Sequence, residues 1–189
     1  MSRDDTTLLV VDVQERLLRA MREPQRLVWN IERLLDGARL MGVAAAATEQ
    51  YPQGLGPTVP SLAERLGQRP AAAHEKLAFS CWGCDALRNQ LEQLDRPNVL
   101  VCGIETHVCV QQTTLDLLAA GYRVFVAVDA TTSRMALDHD VALRRMETHG
   151  ATLTTVEAAL FEWCLAAGTP EFKAISQLVK QTFPTETHS

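Results

Sequence analysis

Asn98-Val-Leu-Val-Cys102 runs into Gly103-Ile-Glu-Thr-His-Val-Cys-Val-Gln111: an apolar segment broken by a glycine and continued as a helical pattern that ends at Gly121. A short, uninterrupted apolar run reads as a strand buried on both faces, and a strand–glycine–helix succession is half of a parallel βαβ unit. Cys109 falls in the first turn of the helix predicted over Val108 to Ala120. There the unpaired backbone N–H groups and the positive end of the helix dipole favour a thiolate.

The same succession recurs on either side of this segment. Short β-prone stretches at Thr7 to Val13, Val43 to Thr48, Ala71 to His74, Tyr122 to Asp129 and Ala151 to Thr155 bring the strand total to six. Between most of them apolar residues repeat at helical spacing. Leu27, Ile31, Leu34, Leu35 and Ala38 mark a helix over Pro24 to Met41 that stops at Gly42, Leu87, Leu91 and Leu94 mark Cys84 to Leu94, and Asp138 to His149 stops at Gly150. Apolar strands alternating with helices predict a three-layer α/β/α domain: a doubly wound, six-stranded parallel sheet of Rossmann-like order 3-2-1-4-5-6. A last helical pattern, about 170–182, packs on the domain or on another subunit.

At 189 residues and 47% hydrophobic content, the chain suits a single domain over 1–189 with a substantial core. The net charge of −5, with basic residues scattered among acidic ones, offers no stripe for a phosphate backbone, so nucleic acid is not an expected partner. No run approaches about 18 apolar residues, and the start lacks the layout of a secretory signal, which predicts a cytoplasmic protein with no membrane partner. The five cysteines are an odd number in a chain large enough to need no staples, so reduced thiols are expected.

Open parallel sheets bind ligands beyond the carboxyl ends of their strands, at the point where strand order reverses. Three reactive side chains fall at those ends: Asp12 closing the first strand, Lys76 following the third, and Cys109 after the fourth. With the first and fourth strands adjacent, a carboxylate beside the thiol takes its proton and an ammonium balances the charge. Singly, each has a plainer reading. Asp12 caps the next helix, Lys76 is a solvated loop lysine, and Cys109 packs in the core as Cys102 and Cys164 do. The conjunction carries the inference. Gln14, Tyr51, Phe79 and Trp82, on loops at the same edge, are candidates to line a substrate cavity, and His107 is a candidate pocket wall rather than a base.

Asp12-Val-Gln14, Lys76 and Gly103-Ile-Glu-Thr-His-Val-Cys109-Val together resemble the isochorismatase-like cysteine hydrolase superfamily, with its Asp, Lys and Cys in this chain order. The resemblance extends to Thr48-Glu-Gln-Tyr-Pro52, Lys76 to Ser80, and Val128-Asp-Ala-Thr-Thr-Ser133, and is closest to isochorismatase-domain proteins of unassigned substrate. It implies a non-proline cis peptide joining Ile104 to Glu105 and an oxyanion hole from the backbone N–H groups of Val108 and Cys109. It also implies cleavage of a small amide, carbamoyl or related C–N bond through a thioester, in a homo-oligomer. The nicotinamidase branch carries a metal through an Asp-x-His element that is missing from Glu49 to Pro57, so no metal and no cofactor are expected. The branch that names the superfamily cleaves a vinyl ether without a cysteine nucleophile, and Cys109 argues against that reaction here.

Two other classes stay open on sequence. Cys81-Trp-Gly-Cys84 has the spacing of thiol–disulfide oxidoreductases, although it accounts for neither Asp12 nor Lys76 and no further ligand pair makes it a zinc site. A non-catalytic oligomeric module on the same fold is the other.

Overall fold

The computed structural model describes residues 1–67 and 73–184. Its six strands are β1 (Thr6–Val11), β2 (Ala44–Gln50), β3 (His74–Lys76), β4 (Asn98–Ile104), β5 (Arg123–Thr132) and β6 (Thr152–Thr154), all parallel, in the order β3-β2-β1-β4-β5-β6. The helices are α1 (Glu15–Leu18), α2 (Pro24–Met41), α3 (Pro52–Leu55), α4 (Pro60–Leu66), α5 (Asp85–Leu94), α6 (Gln111–Ala119), α7 (Ala136–Thr148), α8 (Val156–Cys164) and α9 (Pro170–Val179). No helix among the described residues is long and apolar enough to cross a membrane.

The two central strands are buried along their whole length, which is why they read as continuous apolar runs. Side-chain alternation divides them between two cores. Leu8, Val10, Leu100 and Cys102 join Ile31, Leu34, Leu160 and Trp163 of α2 and α8 on one face. Leu9, Val11, Val99 and Val101 join Leu87, Leu91, Leu117 and Met146 of α5, α6 and α7 on the other.

Several boundaries differ from the sequence reading, for reasons that lie in pairing. Of the stretch predicted as the third strand, Ala71 and Ala72 lie outside the described residues. Pairing of β2 with β3 aligns Thr48 with His74 and Gln50 with Lys76, so β2 runs on through Gln50 and Lys76 is the last residue of β3 rather than a residue beyond its end. β5 outlasts its predicted end because a register shift lets Gly103 and Ile104 pair again with Thr131 and Thr132. The closing helix stops at Val179. Helix α8 has no counterpart in the sequence reading; Thr155 caps it, its Oγ1 accepting from Ala158 N at 3.3 Å.

Gly103 is required by a close approach. It has φ of 116° and stands opposite Val11 in the sheet, where a Cβ would run into Val11's backbone carbonyl. A side chain there would part β1 from β4 one residue before Asp12.

Candidate active site

Asp12 is the first residue past β1 and takes a left-handed conformation, φ 53°, which turns its carboxylate off the strand line. It is fully buried, so each of its oxygens needs a donor. Lys76 Nζ donates to Oδ2 at 2.7 Å and Thr48 Oγ1 donates to Oδ1 at 2.7 Å. Lys76 Nζ also faces Gln50 Oε1 at 2.7 Å, Phe79 O at 2.9 Å and Ala78 O at 3.2 Å, which is four acceptors for three protons. Burial alone would lower the lysine's affinity for its proton; the charge of Asp12, with smaller contributions from Cys81 and Cys109, outweighs it and holds the ammonium above its ordinary range.

Cys109 lies across the switch point, buried to 4% exposure. It is not in the first turn of an α-helix. Residues Thr106–Val110 wind as a π-turn ahead of α6, with the N–H groups of Val108 and Val110 both donating to Glu105 O at 3.1 and 3.2 Å. The thiolate expected at a helix start is not the resting form. Burial pushes the thiol up, and the charge of Asp12 pushes further, against the pull of Lys76. The site at rest is therefore a protonated sulfur beside an acceptor carboxylate.

The π-turn and Glu105 before it are tethered to the connection between β5 and α7 and to α7 itself. Glu105 Oε2 accepts from Arg134 N and Nε at 3.2 and 3.0 Å, Thr106 Oγ1 meets His139 Nδ1 at 2.9 Å, and His107 Nδ1 meets Ser133 Oγ at 3.0 Å. The Ile104–Glu105 peptide is cis. Of the two N–H groups expected as oxyanion donors, that of Val108 is given to Glu105 O, so an incoming oxyanion would share that bond.

Asp12 and Lys76 are thus in direct contact, with Cys109 near enough for both charges to act on its thiol; the expected pocket lining is not uniformly at the site. Gln14 is fully buried, and both its amide protons are spent on backbone carbonyls, Gln50 O at 3.0 Å and Gly56 O at 2.6 Å, while Oε1 accepts from Gln50 N. It fastens the loop after β2 rather than facing a ligand. The Trp82 ring stacks edge-on against Tyr122, 5.7 Å between centroids, and lines a separate cavity of about 390 Å³ with Leu91 and Pro97. Tyr51 and Phe79 are about half exposed and flank Lys76 through backbone contacts: Tyr51 N donates to Lys76 O, and Phe79 O accepts from Lys76 Nζ.

Thr48 and Gln50 belong to the same polar cluster and were not singled out from the sequence; Cys81, read there only as half of a Cys-x-x-Cys pair, joins them. Their signal was there: Thr48 and Gln50 are polar residues two apart at the end of an alanine-rich strand, hence on one face of it. Residues 6–158 match the isochorismatase domain. The chain belongs to the isochorismatase family. Isochorismatase domain-containing protein 2 of Bos taurus is 43% identical over 180 residues, 94% of this chain and 84% of that protein. The structure of MAR1 ribonuclease from Caenorhabditis elegans superposes with a TM-score of 0.90 at 35% identity, covering 100% of this chain and 96% of that one. YcaC from Pseudomonas aeruginosa, solved with hexane-2,5-diol and covalent acrylamide, gives 0.87 at 27% identity over 94% and 90% of the two chains.

Within this isochorismatase-family domain the Cys81-x-x-Cys84 element lacks what dithiol exchange needs. Both thiols are free and buried. Cys81 Sγ faces Thr48 Oγ1 at 3.4 Å whereas Cys84 Sγ donates to Glu75 O at 3.6 Å. Burial, with the charge of Asp12, pushes Cys81 up to about 11, opposite to the lowered value of an attacking thiol. Among the described residues no group of three or more His, Cys, Asp or Glu side chains is placed to hold a metal ion.

Proposed function

We propose that this isochorismatase-family chain is a single-domain cysteine hydrolase, independent of metal, that cleaves a small amide, carbamoyl or related C–N bond. The observation that carries the reading is the buried Lys76–Asp12 pair at 2.7 Å, whose charges both act on the Cys109 thiol. Because that thiol rests protonated, deprotonation and attack go together. Asp12 takes the proton as Cys109 Sγ bonds to the carbonyl carbon, and the carbonyl oxygen becomes an oxyanion held by the N–H groups of Val108 and Cys109. Collapse of this intermediate breaks the C–N bond, Asp12 returning the proton to the departing nitrogen and leaving a thioester. Water, deprotonated by Asp12, then attacks the thioester, and sulfur leaves with that proton.

Lys76 acts through charge alone, since its three protons are already shared among four protein oxygens. The covalent acrylamide of the P. aeruginosa neighbour makes a simple amide the natural first probe. That the C. elegans neighbour is named a ribonuclease does not shift the reading toward nucleic acid, because this chain carries a net charge of −5. Five free thiols suit a reducing, cytoplasmic setting. Leu77, Phe79, Met135 and Leu137, all more than half exposed, favour self-association.

Screening amides, carbamates and ureides with mass detection of a Cys109 adduct tests the reading. Turnover by the parent chain, lost in Cys109→Ala with the fold retained, is the expected result. Equal turnover by Cys109→Ala would overturn it.

A further inference from the structure

Cys81 has no part in the proposed chemistry, yet its buried thiol lies 3.4 Å from the hydroxyl that holds Asp12. Donor counting gives this contact a direction. Thr48 has one hydroxyl proton, and a carboxylate oxygen only accepts, so at 2.7 Å that proton lies toward Asp12 Oδ1. Thr48 Oγ1 is left as the acceptor, and Cys81 donates its S–H. Burial and the charge of Asp12 raise the Cys81 thiol, so it holds at neutral pH the proton that this contact uses.

We infer that Thr48, with Cys81 behind it, is a positioning residue for the general base: the chain Cys81 S–H to Thr48 O–H to Asp12 Oδ1 fixes the plane of the carboxylate. An aspartate's last torsion is broad and roughly two-fold, so one anchor leaves the plane free to turn. With Lys76 on Oδ2 and Thr48 on Oδ1 it cannot turn, and the lone pairs left over are the ones available to Cys109. Thr48 grips Asp12 a second time through the backbone, its carbonyl accepting from Asp12 N at 3.1 Å. Cys81 ties the same chain to the helix that follows the nucleophile, its N–H donating to Thr113 Oγ1 of α6 at 2.8 Å. Base and nucleophile are thereby held in register from opposite sides of the switch point.

The inference rests on the hydrolase reading, and its test separates the two. The probe is iodoacetamide, with the rate of Cys109 alkylation followed against pH by peptide mass spectrometry so that Cys81 is counted apart. The titratable groups that face Asp12 are Lys76 from β3, Cys81 from the turn at Cys81–Gly83 and Cys109 from the π-turn; substitutions at Thr48 change none of their charges. Thr48→Val keeps the volume and removes the donor, and is expected to move the acid limb of the profile up by roughly one pH unit, since a donor to a carboxylate favours its charged form. Thr48→Ser restores the parental limb. Cys81→Ala moves it the same way by less, about a few tenths of a unit.

A Thr48→Val profile superimposable on the parent, or a Thr48→Ser profile as displaced as that of Thr48→Val, would overturn the positioning role. Asp12→Asn is the control. If it abolishes the acid limb while Thr48→Val leaves it in place, the positioning role alone fails. If Asp12→Asn changes nothing, the hydrolase reading fails with it.

Discussion

Lys76 meets Asp12 at 2.7 Å, and Arg88 meets Asp85 at the same 2.7 Å, but the side chains of the first pair are 1% and 0% exposed and those of the second 36% and 80%. Equal distances describe different physics. On α5, water solvates both partners, and the pair spans one helical turn at i, i+3 with little net gain. At the strand ends both charges have left water, and only further hydrogen bonds make that tolerable. Thr48 supplies one to the carboxylate, while Gln50, Phe79 and Ala78 supply acceptors to the ammonium. A buried pair is a poor device for stability alone; on the hydrolase proposal, the pair near Cys109 is there for its chemistry.

The contrast is broken most severely by removing one buried partner. Lys76→Met strands the Asp12 charge, and is expected to destabilise the chain by about 3–5 kcal/mol in urea unfolding and to bring turnover below detection. Replacing both partners, Asp12→Leu with Lys76→Met, sharpens the point: unfolding free energy returns toward the parent, or passes it, while activity does not. A double variant as unstable as the single one would mean the pair itself holds the fold.

A middle-sized effect is set by pH. Cys81 goes from an ordinary 9.0 to about 11 in the fold, so the folded state keeps a proton that the unfolded chain releases first. That contribution is whole below pH 9 and is lost as pH rises through 11. The raised Lys76 acts in the same sense above 10.5. Urea midpoints should therefore fall between pH 9 and 11, and fall less steeply in Cys81→Ala. Parallel curves for the two proteins would remove Cys81 from the account. At the small end, Asp85→Ala should cost less than about 0.5 kcal/mol, and 0.5 M salt should erase even that; a loss above 1 kcal/mol would contradict the contrast.

The sheet was legible because β1 and β4 carry their burial in composition, and α2 because a proline opens it and Gly42 closes it. Asp12, Lys76 and Cys109 could be found because each stands where an apolar run gives way to a turn. Thr48 and Gln50 could not be assigned a role, since their partners are fixed by register: Thr48 beside Val11, Gln50 beside Lys76. Nothing local to β2 states those alignments. The π-turn escaped for a related reason, because the apolar spacing after Gly103 fits an ordinary helix equally well. Gln14 and Trp82 were placed on the right edge of the sheet, but whether a loop side chain faces a ligand or its own backbone is decided by tertiary contacts.

The four oxygens around Lys76 Nζ, one from a carboxylate, one from an amide and two from the main chain, form the kind of cage that a protein builds for an alkali metal ion. Here the guest is tethered by its own carbon chain, so it does not exchange with the medium. Such a buried site is screened by salt far less than a surface pair, so the field at the strand ends changes little between dilute buffer and brine.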